Sequence, residues 1–458
     1  MPQALTFEID TASAAATAEA VRHGKISALE ACDAAIARIE QRDRAINAVV
    51  VRDFDRARAA AKAIDASRSR DDKRALLGVP MTIKESNGIA GLPSTWGFPE
   101  FKERPVGEDG AVAARLKAAG AVLLGKSNVP VALGDWQSVN PVYGRTVNPH
   151  DHKRSPGGSS GGGAAALASG MVPLEVGSDI GGSIRVPAHM CGVFGLKPSY
   201  GIIPLKGHGF PGMDGAEVPL AVVGPLARSA EDLALALDVL AGPLQGSAYR
   251  LDLPQPRQRK LADYRVLVLD THPLSATDAS VREPLQKLAQ DLERAGVRVM
   301  RHVQDMPDLA AAGRAYGTML RTLTTRGAPG ATPIDAHAYL EVLDEQARLI
   351  RRWAKIFHEI DIVISPPFGL PAFPHDDNPD WQARTHVIDG VATPYGTQFG
   401  WAGLATLPNL PAAVAPIAKT KEGLPIGVQI MAGAFQDHTA IAFASLLERE
   451  GLSRAQIV

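Results

Sequence analysis

Apolar residues follow a helical period near the start of the chain and gather in short runs further along. Within residues 1–65, Ser27 and Glu30 form a capping box at the start of a helix. The apolar positions that follow at helical spacing are Leu29, Cys32, Ile36 and Ile39. This period predicts that residues 1–65 form an outer helical layer.

From residue 76 the apolar positions form short runs that are typical of buried strands. Residues 76–84 make the first such run. A helix is predicted over 109–119, ending at Gly120 before a strand over 121–124. Because strands and helices alternate, the pattern predicts an α/β sheet.

The alternation continues in the second half of the chain. The predicted segments are a helix from Ser229 to its stop at Gly242, a surface excursion over 244–262, a strand over 264–269, a helix over 279–295, a strand over 297–300, helical structure over 310–358 and a strand over 361–365. The sheet therefore continues beyond the excursion. The proline-rich residues after 365 predict a loop of the kind that shapes a pocket.

Composition and charge narrow the choice of partners and compartment. The 458 residues include 48 lysines and arginines against 49 acidic residues, so nothing favours nucleic acid or an anionic membrane. The two cysteines, Cys32 and Cys191, have no zinc-like or disulfide spacing and predict reduced thiols. Glu8 and Asp10 stand where a secretory signal would be basic and then apolar, and prolines interrupt the longest apolar stretch, 402–418. We expect a cytoplasmic protein without a membrane segment that acts on a small molecule.

Two glycine-serine clusters, at 155–163 and 177–185, are the most unusual feature of the sequence. Glycine permits positive φ and close approach of a ligand to backbone N–H groups, as an oxyanion hole requires. Such loops also bind phosphate or simply turn the chain. A Walker A loop would need a lysine where Ala164 stands, and the Gly125-Lys126-Ser127 segment has its helix on the wrong side. Nucleotide binding is therefore disfavoured.

A serine nucleophile needs a base that takes its proton. His150, His152 and His189 fall near the clusters, but no Gly-x-Ser-x-Gly elbow surrounds a candidate serine, so we expect these histidines at the surface or behind the site. Lys84 ends an apolar run, where burial would keep its amine neutral and able to accept a proton. A lysine at a strand end is also commonly a solvated terminus, and on this residue alone both interpretations stay open.

Three motifs together resemble the amidase signature family. The motifs occupy 78–84, 156–163 and 179–185 and occur in the family's order. Lys84 and Ser159 are 75 residues apart and Ser159 and Ser183 are 24 apart, which also resembles the family's spacing. The likeness extends to 224–229, 404–411 and 423–429. One departure is Gly163, where the family often has serine.

The resemblance implies roles for individual residues. Ser183 would attack a carbonyl, Ser159 would relay a proton and Lys84 would be the final base, with a cis peptide joining Gly158 to Ser159. The positions matched to oxyanion-hole N–H groups are Ile180, Gly181, Gly182 and Ser183. The positions matched to supporting residues are Gly158, Ser160, Asp179 and Arg185. A purely structural ion pair between Asp179 and Arg185 stays open as an alternative.

The resemblance also implies the fold. We expect one large α/β domain over 1–458, with a central twisted, mostly mixed or parallel β-sheet covered by helices on both faces. Its predicted parts are a helical layer over 1–65, a catalytic core over 76–242, a variable substrate-pocket region over 244–400 and a C-terminal return to the sheet over 401–458.

The expected function is hydrolysis of a small or aryl/alkyl amide through an acyl-enzyme, with esters or carbamates as further substrates. No cofactor and no metal are expected, and a homodimer is compatible with the sequence. One alternative is the glutaminase subunit of a tRNA-dependent amidotransferase, although residues 135–138 and 399–401 look more like stand-alone amidases. A silent binding protein on the same scaffold is disfavoured, since all three catalytic positions are filled.

Overall fold

The structure is a computed structural model that describes residues 8–213, 215–256, 258–328 and 330–458. Residues 1–7 of the predicted N-terminal layer lie outside the described residues. So do single positions of the predicted catalytic core, surface excursion and helical stretch, at 214, 257 and 329 respectively.

Helices and strands alternate along most of the chain. The helices are α1 (Ala14–Arg22), α2 (Ala28–Ile46), α3 (Phe54–Ser67), α4 (Ala111–Ala118), α5 (Gly161–Ala168), α6 (Arg185–Cys191), α7 (Ala230–Leu240), α8 (Ala279–Arg294), α9 (Leu309–Thr324), α10 (Ala336–Glu359), α11 (Phe399–Thr406) and α12 (Asp437–Arg449). The strands are β1 (Val49–Arg52), β2 (Pro80–Lys84), β3 (Val122–Ser127), β4 (Val139–Asn140), β5 (Gly144–Arg145), β6 (Leu174–Asp179), β7 (Phe194–Lys197), β8 (Val222–Ala227), β9 (Arg265–Val268), β10 (Arg298–Met300), β11 (Ile362–Ser365), β12 (Thr385–Ile388), β13 (Val391–Pro394), β14 (Ala412–Lys419) and β15 (Pro425–Met431).

One mixed 11-stranded sheet unites the two halves of the chain. Its strand order is β1-β3-β2-β6-β8-β7-β14-β15-β11-β9-β10. Parallel pairs lie on either side of a central antiparallel stretch: β3, β2 and β6 form one parallel group and β11, β9 and β10 the other. Because β2 and β6 are parallel neighbours, Lys84 and Asp179 at their carboxyl ends reach the same edge of the sheet.

Helices cover both faces of this sheet, as predicted. On one face, Leu233 of α7, Leu285 of α8 and Leu447 of α12 pack with strand residues in one hydrophobic cluster. On the other face, Ile36 of α2 and Leu167 of α5 belong to a second cluster. Helix α5 contains only glycine, alanine and one leucine and is buried at every position, because it lies in the interior against the sheet. Small side chains thus let the segment that follows Ser159 enter the core.

Several predicted elements are confirmed within a few residues. Ser27 and Glu30 form both hydrogen bonds of the capping box at the start of α2, and the Ser229 hydroxyl caps α7. The predicted helix over 279–295 is α8. Within the described ranges, no helix combines the length and the hydropathy needed to cross a membrane. Both cysteines are buried and free.

Three predicted segments need correction. The N-terminal layer is not wholly helical, because β1 pairs with β3 and adds a strand to the sheet edge. The strand predicted from residue 76 is β2, and it begins at Pro80 because Gly78 turns the backbone with a φ of 73°. The helical stretch over 310–358 is two helices, α9 and α10.

Candidate active site

Lys84 lies fully buried at the carboxyl end of β2. Its Nζ donates to Ser159 Oγ at 2.6 Å and to Ser178 Oγ at 2.9 Å. Burial lowers the pKa of this amine to about 7, although the nearby carboxylates of Asp179 and Glu175 oppose the shift. The alternative of a solvated strand terminus is therefore wrong. A buried lysine that is partly neutral near pH 7 can accept a proton from a serine hydroxyl.

Ser159 follows a backbone stretch that only glycine can occupy. The Gly158–Ser159 peptide bond is cis, as the resemblance implies. A Cβ on Gly158 would lie 2.3 Å from the carbonyl oxygen of Asp135, so no larger residue fits there. Gly157 has a φ of 82°. The two glycines thus bring the Ser159 hydroxyl to the lysine amine.

Ser183 lies in the short loop between β6 and α6 and is 6% exposed. The Ser160 N–H donates to the Ser183 carbonyl at 3.1 Å, which joins the two glycine-serine clusters directly. Among the hydrogen bonds of the described residues, none involves the Ser183 hydroxyl. The proton transfer between the hydroxyls of Ser183 and Ser159 is therefore a proposal.

The loop after β6 is braced by Asp179. Its carboxylate accepts from the N–H groups of Gly182 and Ile184, each at 3.0 Å. Gly182 has a φ of 92°, a conformation suited to glycine. The Gly182 N–H is therefore already donated to Asp179, while the oxyanion role of Ile180, Gly181, Gly182 and Ser183 stays a prediction. The N–H groups of Ile180, Gly181 and Ser183 make no hydrogen bond within the part of the chain that the structure describes.

Asp179 and Arg185 form a buried ion pair, with Nη2 2.8 Å from Oδ1 and both side chains inaccessible to solvent. Burial alone would raise the pKa of Asp179, but the charge and hydrogen bonds of Arg185 outweigh it and lower the pKa to about 2. Arg185 also donates to Thr406 Oγ1 and to Gln429 Oε1. The pair thus has a structural role, because it holds the loop between β6 and α6 against α11 and β15.

Ser160 bonds to the strand beside the site. Its Oγ lies 3.3 Å from both the N–H and the carbonyl oxygen of Ser178. The Lys84 amine bonds to the side chain of that same Ser178. Ser160 therefore supports the site by fixing Ser178. Sequence reasoning missed Ser178, although its place directly before Asp179 in the motif was a signal.

Glu175 is a second buried carboxyl near Lys84, and the sequence interpretation missed it. Glu175, on β6, accepts from Ser127 Oγ at 2.7 Å and from the Thr82 hydroxyl. Burial raises the pKa of Glu175 to about 7, while these hydroxyls and Lys84 act in the opposite direction. A charged residue inside an otherwise apolar strand run was the available signal.

The histidines near the clusters do not contact the serines. His189 is fully buried, so the surface position is wrong for this residue: its Nε2 lies 3.1 Å from the Leu370 carbonyl oxygen and its Nδ1 accepts from the Gly427 N–H. Burial lowers the pKa of His189 to about 4. His150 bonds to the Cys191 carbonyl. Both rings tie α6 to neighbouring segments. Within the described ranges, no group of three His, Cys, Asp or Glu side chains is arranged to hold a metal ion.

Aromatic side chains from distant segments contact the loop between β6 and α6. The indole N–H of Trp136 donates to the Gly181 carbonyl at 2.9 Å. The Tyr316 hydroxyl donates to the Ile180 carbonyl at 2.6 Å. Phe399 packs on Trp136, with ring centroids 4.5 Å apart, and stacks on Trp381. Nothing in the local sequence around Trp136 or Tyr316 predicted these contacts.

One family model, curated relatives and solved structures each match most of this chain. The Amidase family model matches residues 30–321 and 311–441. An indoleacetamide hydrolase of Bradyrhizobium diazoefficiens is 33% identical over 463 residues, covering 95% of this chain and 86% of that protein. One subunit of the glutamyl-tRNA(Gln) amidotransferase from a Roseiflexus species is 30% identical, with 94% of each chain covered. One solved structure has a TM-score of 0.84 and is 30% identical, and the match covers 97% of this chain and 100% of that chain. It is described as a vestigial protein complex that reveals the evolutionary origins of an s-triazine catabolic enzyme.

Proposed function

The chain belongs to the amidase signature family, and on that premise we propose that it hydrolyses the C–N bond of a small or aryl/alkyl amide through an acyl-enzyme on Ser183. The observation that supports this most strongly is the 2.6 Å hydrogen bond from the buried Lys84 amine to Ser159. Desolvation lowers the pKa of this lysine, as a general base working near neutral pH requires.

In the proposed acylation step, Ser183 Oγ attacks the amide carbonyl carbon. Its proton passes to Ser159 Oγ, whose own proton passes to the neutral Lys84 amine. The carbonyl oxygen becomes an oxyanion, stabilised by N–H groups of the loop between β6 and α6. We assign this role to Ile180, Gly181 and Ser183, whose N–H groups have no partner among the described residues, while the Gly182 N–H donates to Asp179. Removing one such donor typically costs about 3 kcal/mol of transition-state stabilisation.

Collapse of the tetrahedral intermediate breaks the C–N bond and leaves the acyl group on Ser183. The departing nitrogen takes the proton that Lys84 and Ser159 return. A water molecule then attacks the acyl carbon and loses one proton to the same relay. The bond between the acyl carbon and Ser183 Oγ breaks, the relay returns the proton to Ser183 Oγ, and the carboxylic acid leaves. These steps use only the chain's own residues and water, so the proposed reaction requires no cofactor and no metal.

The substrate class rests on the aromatic side chains beside the loop. A Cβ on Gly181 would lie 3.0 Å from Cε1 of Phe399, so this ring adjoins the proposed oxyanion donors. Trp136 and Trp381 extend the aromatic surface. Aromatic faces favour flat apolar groups, and the indoleacetamide hydrolase relative is named for an aryl-alkyl amide. Esters and carbamates also contain a carbonyl carbon that Ser183 could attack, and we propose them as further substrates.

A substrate panel tests this proposal. Phenylacetamide, indoleacetamide, an anilide, an aryl ester and an aryl carbamate would be incubated with the wild type and with Ser183→Ala. We expect turnover of at least one amide by the wild type and none above background by the variant. Retained turnover in Ser183→Ala would exclude Ser183 as the nucleophile.

A second candidate function is supported by the amidotransferase relative. In that case the chain would release ammonia from glutamine for a partner that amidates aminoacyl-tRNA. Such a protein should hydrolyse glutamine only when its partner is added. Robust hydrolysis of aryl amides by the isolated chain, without glutaminase activity, would decide for the first function.

We propose that the protein is located in the cytoplasm, because its two buried cysteines are free thiols. A homodimer is compatible with either function.

A further inference from the structure

Tyr316 connects the predicted substrate-pocket region over 244–400 to the loop between β6 and α6, residues 180–184, which is the proposed catalytic loop. It belongs to α9, is fully buried, and donates its hydroxyl proton to the Ile180 carbonyl at 2.6 Å. Burial raises the pKa of this phenol, so the hydroxyl stays protonated and remains a donor. Residue 316 is 136 positions from Ile180 in sequence, within the predicted substrate-pocket region over 244–400.

The geometry of a peptide unit gives this hydrogen bond a second consequence. In a planar trans peptide the C=O and the following N–H point in opposite directions. A carbonyl of Ile180 that is held by Tyr316 therefore directs the Gly181 N–H away from Tyr316. In the same way, the Trp136 indole holds the Gly181 carbonyl, and the Gly182 N–H points to Asp179.

Without such restraints this loop has unusual freedom. Gly181 and Gly182 are adjacent, and glycine reaches backbone conformations that other residues rarely adopt. Rotation of the Ile180–Gly181 peptide plane would replace the Gly181 N–H by a carbonyl oxygen, which would repel a developing oxyanion. The Tyr316 hydrogen bond opposes that rotation, because it would leave a buried carbonyl without its donor.

Tyr316 is itself held rigidly. A Cβ on Gly403 of α11 would lie 2.5 Å from Cδ1 of the tyrosine ring, so the ring rests directly on that helix backbone. Phe399 lies beside the ring, with centroids 6.4 Å apart. Helix α11 thus packs against the phenol ring that α9 carries, which limits the positions that the hydroxyl can take relative to the loop.

We propose that Tyr316 is a positioning residue that aims the Gly181 N–H at the oxyanion of the tetrahedral intermediate. The inference rests on the proposed function, since it assigns a supporting residue to that reaction. It also gives α9 a role in the chemistry, through the backbone of the catalytic loop rather than by touching the substrate.

The test uses Tyr316→Phe, which removes the hydroxyl and keeps the ring. With an aryl amide substrate we expect kcat to fall about 10-fold to 100-fold and KM to change less than about threefold, because the lost interaction acts on the transition state. Tyr339→Phe, on α10 and half-buried, is the matched control and should keep wild-type kinetics. Thermal unfolding would verify that both variants fold.

An aryl trifluoromethyl ketone separates positioning from a general structural effect. Its free keto carbonyl would add Ser183 Oγ, with the serine proton passing to the Ser159–Lys84 relay, and the resulting hemiketal would place an oxyanion in the loop, whereas the corresponding carboxylic acid binds without forming one. We expect Tyr316→Phe to weaken ketone binding by the factor lost in kcat/KM and to leave acid binding unchanged. Equal ketone affinity in the wild type and the variant would overturn the inference alone. A wild type that forms no Ser183 adduct would contradict the proposed function and the inference with it.

Discussion

A Cβ atom on Gly163 would lie 2.5 Å from Cγ of Glu175, so the glycine leaves the space that the buried carboxyl occupies. Gly163 is the position where the sequence departs from the serine often found in the family. The departure is therefore explained by packing between α5 and β6 rather than by a change in the serine chemistry. Residue 163 and residue 175 are expected to behave as a coupled pair.

A double-mutant cycle tests this coupling. Gly163→Ser alone should destabilise the protein by about 1 to 3 kcal/mol, because a side chain is forced into an occupied core position. In a Glu175→Ala background the same substitution should cost at least about 1 kcal/mol less, since the opposing carboxyl is gone. Urea unfolding of the four proteins measures the interaction free energy. Strict additivity would show that the two positions are independent.

Substitution of Lys84 should abolish catalysis without abolishing the fold. Lys84→Met keeps a long side chain and removes the amine, and we expect kcat to fall by about 10³-fold or more because the serines lose their base. Lys126 on the adjacent strand β3 is also fully buried, and its amine bonds to Ser94. Lys126→Met is therefore the matched control, and it should stay within about tenfold of the wild type. Comparable losses in both variants would point to folding instead of base catalysis.

The pH dependence of kcat/KM should have an acid limb near the pKa of Lys84, about 7. Only the neutral amine accepts a proton, so activity should rise with pH through this region and fall about tenfold per pH unit below it. Glu175→Gln should move the limb to lower pH, because a negative Glu175 raises the pKa of Lys84. Initial rates between about pH 5 and 10 measure both profiles. A flat wild-type profile would contradict a lysine base.

Breaking the Asp179–Arg185 pair should be costly. Arg185→Met leaves a buried carboxylate without its partner, and we expect the free energy of unfolding to fall by about 3 to 5 kcal/mol. Arg348→Met removes one member of an exposed ion pair with Glu345 and should leave the unfolding midpoint unchanged. Guanidinium unfolding compares the two variants. Equal midpoints would show that the buried pair is dispensable.

Much of the fold followed from the sequence because its signals are local. The cap at Ser229 and the capping box at Ser27 each describe a single helix, and both are present. The strand β1 was missed because pairing with β3, not its own pattern, makes it a strand. The division of the chain into four functional parts remains a prediction.

The site was predictable to the extent that it lies in short motifs. Lys84 and Ser159 meet as the motifs imply. The hydrogen bond from the Gly182 N–H to Asp179 could not be predicted, because it depends on the side-chain conformation of Asp179 in the folded loop. Tyr316 was equally hidden, because its contact joins positions that only the tertiary fold brings together.

The most direct test of the account is the site of covalent labelling by an aryl fluorophosphonate. Ser159 and Ser183 lie in one tryptic peptide, residues 155–185, so fragment-ion mass spectrometry must locate the adduct within it. We expect a single adduct on Ser183 in the wild type, much slower labelling in Lys84→Met and no labelling in Ser183→Ala. An adduct on another residue, or undiminished labelling of Ser183→Ala, would contradict Ser183 as the nucleophile activated by Lys84 and Ser159.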